Sequence, residues 1–176
     1  MSSSHVHHKW ILVIFLMIAG GTKATLAYDC KPTQRVQLES ASYFKNIRSK
    51  SDKPDADRWA STFLLPAANE CEIEGDEHNT TGSLQCTWYM DKGLNNENRA
   101  KDAYTKLVTS LASCLSKTDA QIQRKQNRET GESASIDDPY PNMSTKAYRA
   151  AKVRYEYTDG RWVITLEYAI DDGDSN

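Results

Sequence analysis

The sequence predicts an α+β domain, an antiparallel sheet of two hairpins packed on helices in the order α-ββ-α-ββ. Three observations carry that expectation. Residues 151–168 alternate in polarity on both sides of a two-residue turn, Asp159-Gly160. Residues 70–74 and 84–89 alternate on both sides of a turn-rich loop. Between these pairs, residues 97–116 repeat their apolar side chains at helical spacing.

In chain order, the first feature is a leader. Lys9 and three histidines, His5, His7 and His8, precede an apolar run of ten residues from Trp10 to Ala19. A membrane-spanning helix needs about 20. Small residues Thr25 and Ala27 stand three and one before a cut at Ala27-Tyr28, so residues 1–27 read as a cleavable signal peptide. The mature chain keeps 20 of the 22 Lys and Arg against 24 Asp and Glu, a net charge of −4. That balance disfavours nucleic acid or an anionic membrane surface as a partner. Residues 28–170 have the length of one domain, and 171–176 form an acidic tail.

Leu38, Ala41, Phe44 and Ile47 predict a short helix over about 37–49. Residues 51–57, SDKPDAD, read as a loop, with Trp59, Phe63 and Leu64 as core contacts beyond it. In the first hairpin, Cys71 and Ile73 alternate with Glu70, Glu72 and Glu74, and Leu84, Cys86 and Trp88 with Gln85, Thr87 and Tyr89. Register about the loop 75–82 places Cys71 opposite Cys86. An even count of four cysteines in an exported chain reads as two disulfides. Of the three possible connectivities this register favours Cys71–Cys86, which leaves Cys30–Cys114. No C-x-x-C spacing is present, so zinc is the weaker reading and no metal is assigned.

The helix at 97–116 has an apolar stripe of Ala100, Ala103, Tyr104, Leu107, Val108, Leu111, Cys114 and Leu115. Residues 117–147 are polar and almost aperiodic, and read as a long flexible connection whose start, 119–128, extends as a solvated helix. The second hairpin centres on Asp159-Gly160, a strong turn signal because both positions favour positive φ. Its inner face pairs Ala151, Val153, Tyr155 and Tyr157 with Tyr168, Leu166, Ile164 and Trp162.

The stretch with Leu65-Pro66-Ala67, Cys71, Cys86-x-Trp88 and Cys114-Leu115 resembles a group of uncharacterised small exported bacterial proteins. The resemblance covers about 50 residues. It departs at Ala67-Ala68, where the group tends to have Gly-Ala. It implies a bacterial, periplasmic protein and supplies no site residue.

Chemistry is sparse. His78, the one histidine beyond the leader, sits in a loop with neither a placed carboxylate nor a nucleophile marked beside it. Glu70, Glu72 and Glu74 read as a solvent face, QIQRKQNR at 121–128 as a solvated helix end, and the final acids as a tail without the spacing of a calcium loop. The best candidate is IDDPYPN, where Asp137 and Asp138 before Pro139 and Tyr140 between Pro139 and Pro141 form a stiff, exposed recognition loop. They lie outside the predicted core, so replacing them is expected to leave folding intact. The reading that follows is a secreted or periplasmic, non-enzymatic domain that binds another protein and uses no cofactor, of the size of an inhibitor or immunity protein. The alternatives are a small hydrolase with a hidden carboxylate site and a structural subunit of an envelope complex.

Overall fold

The computed structural model describes residues 29–49, 57–75, 81–93, 96–127, 131–138 and 148–171. The leader, the proposed cut at Tyr28, His78, Tyr140 and residues 172–176 lie outside the described residues. The elements are α1 (Lys31–Ser40), β1 (Arg58–Ala60), β2 (Glu70–Gly75), β3 (Thr81–Lys92), α2 (Glu97–Cys114), β4 (Ile122–Asn127), β5 (Gly131–Asp137), β6 (Tyr148–Thr158) and β7 (Arg161–Asp171). All seven strands form one antiparallel sheet, ordered β1-β2-β3-β7-β6-β5-β4.

The expected architecture of two hairpins on helices, α-ββ-α-ββ, is therefore corrected. The molecule is mostly sheet, with two α-helices among the described residues. Both expected hairpins are present in the expected register: Cys71 faces Cys86 and Ile73 faces Leu84 in one, Tyr155 faces Ile164 and Tyr157 faces Trp162 in the other. Three further strands join them. β1 pairs Trp59 with Ile73 in the stretch expected only to supply core contacts. The expected flexible connection instead carries the β4–β5 hairpin, which pairs Ile122 with Ile136 and Arg124 with Ala134. A 3₁₀ turn at Asp119–Gln121 replaces the expected start of a solvated helix. In β5 only Ala134 and Ile136 are fully buried, alternating with Ser133, Ser135 and Asp137. β4 is the sheet edge; Ile122 is its half-buried member, and Arg124 and Lys125 blunt it against further pairing. An edge strand that buries so little leaves almost no apolar alternation to read.

The first helix also shifts. It runs from Lys31, with Pro32 in its first turn, and ends at Ser40 because Tyr43 and Phe44 turn the chain at φ of 52° and 60°. Its buried face holds Thr33, Val36 and Ser40, while Leu38 is 75% exposed. Leu64, expected in the core, is 52% exposed, and its neighbour Leu65 is buried in its place.

Two disulfides are present. Cys71–Cys86 joins directly opposed residues of β2 and β3, with a Cα separation of 4.1 Å. Cys30–Cys114 joins the residue before α1 to the last residue of α2 across 84 positions. Such bonds persist in oxidising compartments, so the pair fits an extracytoplasmic setting. No helix among the described residues is long and apolar enough to cross a membrane.

The core lies between the helices and one face of the sheet. Trp162, Ile164, Leu166, Tyr168 and Ile170 of β7 are buried, as are Val153 and Tyr155 of β6. α2 packs on β6 and β7, and α1 on β3 and β7. The opposite face is polar, with Glu70, Glu72 and Glu74 on β2 and Lys152 and Arg154 on β6.

Candidate ligand-binding cavity

Where α1 and α2 lie side by side on the sheet, they do not close over it completely. A cavity of about 150 Å³ remains between them. β3 and β7 form its floor through Trp88, Met90, Ile164, Leu166 and the ring of Tyr168. α2 contributes Ala103, Leu107 and Leu111, which follow at four-residue spacing and therefore share one side of the helix. α1 contributes Thr33 and Val36.

The remaining wall is Leu65-Pro66. Here the chain makes a turn in which Ala68 N–H donates to the Leu65 carbonyl at 3.0 Å and Ala67 takes φ of 59°. A positive φ at this third turn position is what glycine adopts freely and alanine does not. Two contacts hold the segment. The Trp88 indole N–H donates to the Pro66 carbonyl at 3.1 Å, and the Arg35 guanidinium stacks over Phe63 at 4.6 Å.

Among the described lining residues three side chains carry a polar group: Trp88, whose indole N–H is given to Pro66, Tyr168 and Thr33. Tyr168 turns its hydroxyl away, donating it to Asp138 Oδ2. Thr33 is 2% exposed, and its Oγ1 has no hydrogen-bond partner. Glu39 Oε2 and Trp162 Nε1 are also buried without partners, but neither residue lines the cavity. Among the described residues no carboxylate, imidazole or amine lines it either.

Asp138 is the centre of a buried clasp. It is 6% exposed and Arg149 7%. Asp138 Oδ2 accepts from Arg149 Nε at 2.9 Å, from Gln37 Nε2 at 2.9 Å and from the Tyr168 hydroxyl. Arg149 Nε also donates to the Asp138 carbonyl at 3.0 Å, and the Asp138 amide donates to the Arg149 carbonyl at 2.8 Å. One carboxylate thus ties α1, the end of β5, the start of β6 and β7 together. The expectation of an exposed Asp137, Asp138 and Tyr140 loop is corrected at Asp138, which is core. Asp137 is exposed on β5, opposite Ala150. The acids of β2 are exposed and engaged locally: Glu70 accepts from Tyr89, and Glu74 pairs with Arg58 at 3.6 Å.

A looser cluster fastens the β4–β5 hairpin to α2. Arg124 pairs with Asp119 at 3.0 Å and Glu132 at 3.7 Å, and Tyr104 donates to Glu132 at 3.4 Å. Burial pushes the Tyr104 and Tyr168 hydroxyls well above the usual tyrosine range; the negative charge of Glu132 adds to this for Tyr104, and the hydrogen bond to Asp138 for Tyr168. Folded tyrosines therefore hold protons that the unfolded chain releases near pH 10. Their contribution to stability should be fully present below about pH 10 and decline above it. Urea midpoints measured between pH 8 and 12 should be level on this account up to about 10 and then fall.

The cavity residues were legible only in part. Leu107 and Leu111 stand in the helical stripe, and Leu65-Pro66 in the resemblance motif. Thr33, a lone threonine in the first turn of a helix, carries no signal in sequence. Among known proteins, no family model, no curated protein and no solved structure matches the chain.

Proposed function

We propose that this chain is an exported binding protein that holds a small apolar molecule in the cavity between its helices and its sheet. The observation that carries this reading is the lining of that cavity: apolar side chains from five structural segments, with no acid or base among the described residues that line it. Ligand sites are concave and mostly apolar, with few placed polar groups, whereas a hydrolase needs a proton acceptor within reach of its nucleophile. Export is supported by the leader pattern of residues 1–27 and by the two disulfides. A protein partner gripping IDDPYPN is less favoured, because Asp138 is committed to Arg149, Gln37 and Tyr168.

A cavity near 150 Å³ is about the size that accepts a single benzene ring. Toluene titrated into the folded mature protein and followed by calorimetry should bind with a sub-millimolar constant, about −4 to −6 kcal/mol. Ala103→Trp places an indole in the same space and should abolish binding, at a stability cost of about 1–3 kcal/mol. A wild-type protein that ignores toluene, or an Ala103→Trp protein that binds it unchanged, would remove the cavity as the site.

A further inference from the structure

We propose a second binding site, for a phosphate group, on the face of the sheet turned away from the helices and separate from the apolar cavity. It lies over β5, where a depression of about 250 Å³ is bordered by Lys125 of β4, Gly131 and Ser133 of β5, and Lys152, Arg154 and Glu156 of β6. Strand alternation fixes which side chains face it. Ala134 and Ile136 are buried toward the helices, as are Val153 and Tyr155, so Ser133, Lys152, Arg154 and Glu156 point the other way. Lys125 stands opposite Ser133 and shares its face. Glu132 and Tyr155 also border the depression, but their side chains turn inward, Glu132 to Arg124 and Tyr104, Tyr155 to the rings of Tyr104 and Trp162.

Shape and charge agree here. Lys125, Ser133 and Arg154 form one row across three strands. Neighbouring strands lie about 4.8 Å apart, so two long cations flank a short hydroxyl across about 10 Å. Lys152 joins from the next outward position of β6, opposite Ser135. The trough exists because β5 carries only small outward groups there; a Cβ at Gly131 would meet the Tyr155 carbonyl oxygen at 2.1 Å, so that end stays bare. Among the described residues Lys125, Lys152 and Arg154 make no ion pair, although Glu156 borders the same depression and Glu167 stands opposite Lys152. The Ser133 hydroxyl reaches the Lys125 carbonyl at 3.5 Å. Three cations with one facing carboxylate thus gather in a mature chain whose net charge is −4.

A phosphate dianion suits this set. Ammonium groups meet it as point charges, and a guanidinium can bind two of its oxygens at once. The Ser133 hydroxyl can donate a further bond. A carboxylate, with one charge, leaves more of the cationic charge unanswered.

Inorganic phosphate titrated into the mature protein at about pH 8, where it is mostly the dianion, and at low ionic strength should bind saturably with a constant of about 1 mM. Amide shifts in nitrogen–proton spectra should concentrate at Lys125, Ser133, Lys152 and Arg154. Lys152→Gln and Arg154→Gln should each weaken binding about tenfold, and Glu156→Gln should tighten it. Lys106→Gln removes the same charge from the exposed side of α2 and should leave the affinity within about twofold of wild type. None of these four side chains is buried, so the variants should keep the wild-type urea midpoint. Phosphatidylcholine vesicles with and without phosphatidic acid distinguish the source of the group. Co-sedimentation that needs phosphatidic acid and is lost in Arg154→Gln places the phosphate on a lipid; phosphate binding without co-sedimentation places it on a soluble compound. Absence of saturable phosphate binding by wild type, or a loss in Lys106→Gln equal to that in Arg154→Gln, would overturn the site.

Discussion

Asp138→Ala should cost about 3–5 kcal/mol of stability, the range for removing one partner of a buried ion pair. The substitution withdraws the acceptor shared by Arg149, Gln37 and the Tyr168 hydroxyl, all joined at Oδ2. Arg149, 7% exposed, then loses its carboxylate acceptor at Oδ2 and keeps its hydrogen bond to the carbonyl of residue 138. With a urea m-value of about 1–3 kcal/mol/M, the midpoint should fall by about 2 M. Asp137→Ala, one residue earlier and exposed, should stay within about 0.5 kcal/mol of wild type. Replacing the pair together, Asp138→Leu with Arg149→Met, should recover much of the loss, since buried ion pairs are often no more stabilising than apolar groups of similar volume. Equal effects of Asp137→Ala and Asp138→Ala in urea titrations would show that the clasp does not hold the fold.

Loss of the Cys30–Cys114 bond should be of similar size and should also damage the cavity. It closes 84 positions, for which chain entropy alone assigns about 4–5 kcal/mol, against about 3 for the 15 positions closed by Cys71–Cys86. The two bonds differ further in what remains when they are cut. β2 and β3 stay paired by a ladder from Glu70 to Gly75. Among the described residues α1 is held by its packing, the Gln37 hydrogen bond and the Arg35 stack over Phe63, and Thr33 and Val36 lie within its first two turns. The double variant Cys30→Ser with Cys114→Ser should therefore unfold at a lower urea midpoint than Cys71→Ser with Cys86→Ser. At temperatures where both remain folded, it should bind toluene more weakly. A larger loss from the hairpin bond would mean that α1 docks without its tether.

The clasp and the tether also mark where sequence and tertiary structure divide. Residues 70–74 with 84–89, and 151–157 with 162–168, alternate in polarity except at Tyr89 and Val163, so each hairpin carries its own register and Cys71 can be paired from letters alone. The stripe from Ala100 to Leu111 likewise announces α2. These patterns are local, because a strand or helix with one buried face repeats at its own period. β4 lacks such a pattern because an edge strand buries almost nothing, and β5 shows only two small steps of it at Ala134 and Ile136. Asp138 resembles any turn aspartate; its burial depends on Arg149 and Gln37, 11 and 101 residues away. The cavity is further still from the letters. It is the space that two separately patterned helices leave when both pack on one sheet, and only their placement determines that Thr33 and Ala103 face it rather than solvent or each other.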